Sequence, residues 1–239
     1  MIAKSLAYEA DGLAMRGEFF AADGQAGPVP GVLVFPEAFG LGDHAISRAK
    51  RLAEMGYAAL ACDLHGQQRR YSDIGEVMGL LGPLLAAPER IRARASAALA
   101  TLTAQDGVDG DRIAAIGFCL GGTMALELAR AGSGIRAAVG FHSGLSTASP
   151  QDAINITGKV LVCIGADDPA IPAEQRAAFE DEMRQGKVDW QMHLYGDVVH
   201  SFTDPEADSR GNIEAFRYDA DADARSWNAM TLLFDEAFR

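Results

Sequence analysis

Ile116-Gly117-Phe118-Cys119-Leu120-Gly121-Gly122 decides the reading of this chain. An apolar stretch, Arg112-Ile113-Ala114-Ala115-Ile116, leads into it, and a helix-forming stretch, Thr123-Met124-Ala125-Leu126-Glu127-Leu128-Ala129-Arg130, follows at once. A strand that passes through Gly-x-Cys-x-Gly into a helix must turn sharply. Side chains at Gly117 and Gly121 would obstruct that turn, so glycine stands on both flanks and the central residue is pushed above the sheet. The thiol of Cys119 then sits at a helix N-terminus, where partial positive charge favours thiolate. A buried cysteine beside helix-packing glycines fits the same seven residues, so the rest of the chain must decide.

On both sides of this segment, apolar runs alternate with helical patterns. The runs cover residues 31–35, 58–62, 113–118, 137–141, 160–164 and 188–195. They are continuous rather than alternating, as expected of parallel strands buried on both faces. Helical patterns fall at 43–55, 88–103, 120–131, 172–185 and 220–238. This βαβ order predicts an α/β fold with a mostly parallel, doubly wound sheet and helices on both faces. Ahead of it, Leu6 to Tyr8 and Ala14 to Phe20 around Asp11-Gly12 read as an antiparallel lead-in, and residues 21–30 as a Gly- and Pro-rich loop. No repeat or linker interrupts the pattern, so one domain over 1–239 is expected. Residues 66–88 read as an irregular insertion, whose Gln67-Gln68-Arg69-Arg70-Tyr71 stretch lines a site or lies in solvent.

Hydrophobic residues make up 49% and charged residues 23%, an ordinary globular balance. The net charge of −12 argues against nucleic acid or an anionic membrane as the main partner. The start, Met1-Ile2-Ala3-Lys4-Ser5, has no apolar signal core, and no stretch reaches the length of a membrane span. Cys62, Cys119 and Cys163 are odd in number and scattered, without CxxC or metal-ligand spacing. The expectation is a reduced, cytoplasmic thiol protein with no cofactor and no metal, a monomer or small homo-oligomer.

Two further loops carry chemistry. After the run ending at Ile164 comes Gly165-Ala166-Asp167-Asp168-Pro169, and after the run ending at Tyr195 comes Gly196-Asp197-Val198-Val199-His200-Ser201-Phe202. Nucleophile, acid and histidine, each just beyond a strand, follow the chain order of the α/β-hydrolases, and Cys119 occupies the place of the nucleophile in their strand–turn–helix elbow. His200 would take the thiol proton, and a carboxylate behind it would fix the tautomer. Glu37 follows the apolar run Val32-Leu33-Val34-Phe35-Pro36, where a carboxylate is costly without a partner or a task.

Pro36-Glu37-Ala38-Phe39-Gly40-Leu41, Cys62-Asp63-Leu64, Gly117-Phe118-Cys119-Leu120-Gly121-Gly122, Gly165-Ala166-Asp167-Asp168 and His200-Ser201-Phe202 resemble the dienelactone hydrolase family almost from end to end. The resemblance implies an α/β-hydrolase fold and hydrolysis of a small ester or lactone, as by a carboxymethylenebutenolidase. It implies Cys119 as nucleophile, Asp168 as triad acid and His200 as base. It further implies Glu37 hydrogen-bonded to the resting thiol and shifting when substrate arrives, with the N–H groups of Leu120 and Ala38 as oxyanion hole. One position departs. Where the family carries a substrate-binding arginine four residues after the histidine, this chain has Asp204. An acid there would repel an anionic lactone, so neutral substrates are expected and Asp204→Arg should narrow the gap, unless Arg69 or Arg70 supplies the charge.

Asp167 is the rival acid, with Asp63 and Asp197 weaker candidates. His44, at a helix start, and His193, in a strand, read as structural; His65 and His142 follow strands and would line the pocket. Cys62 and Cys163 read as inert core thiols. The alternatives to hydrolysis are a non-catalytic or weakly catalytic small-ligand binding protein on the same fold, and an acyltransferase.

Overall fold

Continuous burial along the central strands builds a sheet with two covered faces. The computed structural model describes residues 1–239. Eight strands form one sheet in the order β1-β2-β4-β3-β5-β6-β7-β8. They are β1 (Ile2–Ala10), β2 (Leu13–Ala21), β3 (Val29–Phe35), β4 (Ala58–Ala61), β5 (Val108–Phe118), β6 (Ala137–Phe141), β7 (Lys159–Gly165) and β8 (Asp189–Tyr195). The β1–β2 and β2–β4 pairs are antiparallel and all later pairs parallel. The β1–β2 turn is tight because both Asp11 (φ 51°) and Gly12 (φ 71°) adopt the left-handed conformation that such hairpins require.

The helices are α1 (Asp43–Glu54), α2 (Ile74–Leu85), α3 (Pro88–Thr103), α4 (Leu120–Arg130), α5 (Ala173–Gly186) and α6 (Ala220–Ala237). Leu33, Phe35 and Ala115 face one core with residues of α2 to α5, whereas Val32, Val34, Ala114 and Ile116 face the other with residues of α1 and α6. This is the doubly wound α/β-hydrolase architecture that the alternating runs predict. Because β3, β5, β7 and β8 are parallel, the loops that follow them open on one edge of the sheet, which is where α/β proteins place their sites.

The segment expected to be irregular contains a helix. α2 starts at Asp73, whose carboxylate accepts from Glu76 N–H at 2.8 Å. Gly75, Gly79, Gly82 and Pro83 hide it from a propensity reading, since each lowers intrinsic helicity. Packing compensates: Val77 and Leu84 are buried in the first core.

Candidate functional site

A single residue, Cys119, separates β5 from α4, with φ 53° and ψ −119°. That conformation is strained for a side chain, and its surroundings hold it in place. A Cβ at Gly117 would lie 2.0 Å from the Gly121 carbonyl oxygen, one at Gly121 2.2 Å from Phe35 O, and one at Gly122 1.8 Å from Ser143 Oγ. All three glycines of the motif are therefore required by close approach. Cys119 N–H donates to Phe141 O at 3.0 Å, tying the elbow to β6. Leu120 opens α4, so its N–H has no partner within the helix.

Asp168 and His200 come together over the ends of β7 and β8. The Asp168 carboxylate is buried, accepts from Ala170 N–H at 2.8 Å and receives His200 Nδ1 at 2.7 Å. The histidine loop is pinned from behind by His200 N–H to Ala215 O and Arg217 N–H to His200 O, each 3.1 Å. Burial alone would lower the pKa of His200, yet the neighbouring Cys119 sulfur and the hydrogen bond to Asp168 outweigh it and raise it to about 10. Asp167 is exposed, Asp197 lies on the surface, and Asp63 accepts backbone N–H groups from Arg16, His65, Gly66 and Gln68. The rival acids are thus exposed to solvent or already engaged.

Cys119 and His200 line a cavity of about 570 Å³ together with Glu37, Ala38 and Leu120. Its wall is largely apolar: Ile74, Val77, Met78, Leu81 and Leu85 of α2 face Ala170, Ile171 and Phe216. Thr123, Gln175 and Arg210 are among its polar residues. His65 accounts for the position of Ala38. Its Nε2 donates to Ala38 O at 2.7 Å, and burial foremost lowers its pKa. His142 lies behind His200 with ring centroids 5.0 Å apart, its Nε2 bonded to Thr203 Oγ1 at 2.8 Å, and burial holds its pKa well below the usual range.

Three expectations change. Glu37 bonds His44 rather than Cys119: its Oε1 meets His44 Nδ1 at 2.5 Å. Burial alone would raise the Glu37 pKa, but His44 and Arg210 outweigh it and hold the carboxyl below its ordinary value. Asp204 is buried and turned away from the cavity, because its carboxylate pairs with Arg210. Arg69 and Arg70 are exposed and do not line the cavity. The cation at the site is Arg210, which the sequence reading missed. It also donates to Ser201 Oγ at 2.9 Å and lies over the Phe39 ring, 5.2 Å from the centroid. No motif marks it, since it closes a short 3-10 turn in a polar stretch.

Cys62 and Cys163 are buried, and burial pushes both thiols upward, whereas Cys119 is partly accessible. Iodoacetamide should therefore label Cys119 well before the other two. Peptide mapping that finds Cys62 or Cys163 labelled first would count against the assignment.

Comparison with known proteins places the chain in a family. The sequence pattern of the dienelactone hydrolase family matches residues 15–238. A Yersinia pestis protein named as a candidate carboxymethylenebutenolidase is 30% identical over 204 residues, 81% of this chain and 74% of its own. A dienelactone hydrolase-like promiscuous phosphotriesterase from metagenomic libraries has a solved structure that superposes with a TM-score of 0.93 at 48% identity, covering 99% of this chain and 98% of its own. A candidate dienelactone hydrolase from Klebsiella pneumoniae, 24% identical over 98% of both chains, shares the fold with a TM-score of 0.84. No helix is long and apolar enough to cross a membrane. With the match running through the elbow, both later loops and every strand from β3 on, the chain belongs to the dienelactone hydrolase family, a family of hydrolases.

Proposed function

We propose that this hydrolase cleaves small, neutral, apolar esters and lactones through a thioester on Cys119. The supporting observation is the convergence of Cys119, His200 and Asp168 on one side of an apolar cavity. Sulfur attacks the carbonyl carbon while His200 holds the thiol proton, and the carbonyl π electrons move onto oxygen. The N–H groups of Leu120 and Ala38 receive that oxyanion; losing one such donor typically costs ~3 kcal/mol of barrier. The intermediate collapses, the C–O bond breaks, and His200 returns the proton to the leaving alkoxide. Water then attacks the thioester with His200 as base, and thiolate departs from the acid product. Asp168 keeps the His200 proton on Nδ1 and stabilises the imidazolium.

The cavity explains the preference for neutral substrates. Arg210 is its cation, but Asp204 already binds that guanidinium and the Glu37 carboxylate stands beside it. An incoming carboxylate therefore meets the Glu37 carboxylate and a guanidinium that Asp204 already neutralises. Failing to pair a charge in a cleft costs ~2 kcal/mol or more, so neutral esters and lactones should exceed a carboxylate-bearing dienelactone by about 30-fold in kcat/KM. Asp204→Arg would crowd a second guanidinium against Arg210. The informative change is Asp204→Asn, which releases Arg210 toward the cavity and should narrow the gap by about tenfold. A panel in which the anionic dienelactone is the best substrate of the parent enzyme would refute this reading of the pocket.

A second reading is supported by the relative that is a promiscuous phosphotriesterase at 48% identity. The same thiol and histidine would serve attack at phosphorus on a neutral triester. Release of p-nitrophenolate from diethyl p-nitrophenyl phosphate, lost in Cys119→Ala, would establish it.

A further inference from the structure

His44 and Arg48 stand one helical turn apart near the start of α1, so they share a face of that helix. That face meets the loop after β3, and the result is a buried chain of polar groups. Glu37 Oε1 contacts His44 Nδ1, and Arg48 Nε donates to His44 Nε2 at 3.2 Å. A guanidinium only donates, so Nε2 is the acceptor and the ring proton lies on Nδ1, directed at Glu37. Arg48 is itself fixed, donating to Thr203 O at 2.6 Å and to Asp223 Oδ2 at 2.8 Å. The His44 ring packs on Phe118, the residue before Cys119, with centroids 4.5 Å apart.

Glu37 and Cys119 line the same cavity, and a carboxylate bonded to the thiol would hold its proton on sulfur. The geometry points to His44 as a positioning residue that keeps Glu37 away from Cys119, so that the resting sulfur pairs with His200 and no substrate-driven movement of Glu37 precedes attack. This role rests on the reading of Cys119 as nucleophile. It also fits a site for uncharged substrates, which bring no carboxylate to displace Glu37. The other charged groups close to the pair are Asp204, whose carboxylate lies within 4.8 Å of the facing atoms of both, and Arg210, which draws on Glu37 and binds Asp204.

The alkylation rate of Cys119 in resting enzyme at neutral pH, followed by peptide mapping, tests the role without turnover. His44→Asn keeps an amide donor near the Nδ1 position and gives up the acceptor for Arg48. His44→Gln keeps the acceptor for Arg48 and leaves Glu37 without its donor. The proposal expects the rate to stay within about twofold in His44→Asn and to fall about tenfold in His44→Gln, the weight of one charge-assisted hydrogen bond. Adding Glu37→Gln to His44→Gln should restore the rate, because Glu37 is the group that His44 restrains. Glu37→Gln in the otherwise unaltered chain supplies an independent check, with little change expected and about tenfold acceleration contradicting the proposal. Equal slowing in the Asn and Gln variants, or a double variant as slow as His44→Gln, would also overturn it. Ester hydrolysis by Cys119→Ala at the parent rate would instead overturn the nucleophile reading beneath it.

Discussion

Cys119→Ala should lose about 10⁴- to 10⁶-fold in kcat on p-nitrophenyl acetate while the fold and the cavity persist. The size follows from what one atom does. Without sulfur no acyl intermediate forms, and only His200, the oxyanion donors and binding remain to act on water. Alanine fits the elbow as well as cysteine does, because its Cβ already exists at φ 53° and the flanking glycines are untouched. Circular dichroism and melting temperature should therefore match the parent. Steady-state kinetics within tenfold of the parent would show that the thiol is not the nucleophile.

Arg130→Met should cost about 3–5 kcal/mol of stability, the largest effect expected of a substitution remote from Cys119. Arg130 is wholly buried. Its Nε and Nη2 meet the two oxygens of Glu182 at 2.7 and 2.8 Å, Nη1 meets Glu127 at 3.0 Å, and Nη2 also donates to Leu145 O at 3.0 Å. Methionine fills similar space but leaves Glu182 buried without a partner, and that uncompensated charge is the cost. For a chain of this size the melting temperature should fall by about 10 °C, measured by scanning calorimetry. Arg130→Met/Glu182→Met should recover much of the loss, since removing both charges also removes their desolvation. A single variant that melts within about 2 °C of the parent would mean that the pair contributes little. Because Leu145 adjoins the cavity-lining loop of Gly144, Ser146 and Thr147, KM should rise as well.

The contrast between these two residues marks where local pattern stops informing. Cys119, Asp168 and His200 are legible because each follows a strand whose apolar run is visible, and parallel strands bring their ends to one edge of the sheet. Gly117 and Gly121 are legible because close backbone approach at the turn excludes every other residue, whereas Gly122 is held by the Ser143 side chain, which no local pattern shows. Arg130 is not: in sequence it is a basic residue in the last turn of a helix, a place where most such residues face water. Its partner Glu182 lies 52 positions away. Arg210 is hidden in the same way, since only folding brings it against Asp204 and Phe39. α2 was obscured by its own glycines and Pro83, and its apolar face matters because it walls the cavity. The sequence places His44 at a helix start, but which group it holds, Glu37, depends on the approach of α1 to the loop after β3.

The covalent intermediate is the most direct point of test. Enzyme mixed with a slowly hydrolysed p-nitrophenyl ester, quenched in acid within the burst and digested, should carry the acyl group on the peptide bearing Cys119, with p-nitrophenolate released in a burst equal to the enzyme present. The adduct should vanish in Cys119→Ala and form slowly in His200→Gln, where both the thiol and the deacylating water lack their base. An acyl group found on any other residue, or full turnover with neither burst nor adduct, would contradict the thioester mechanism.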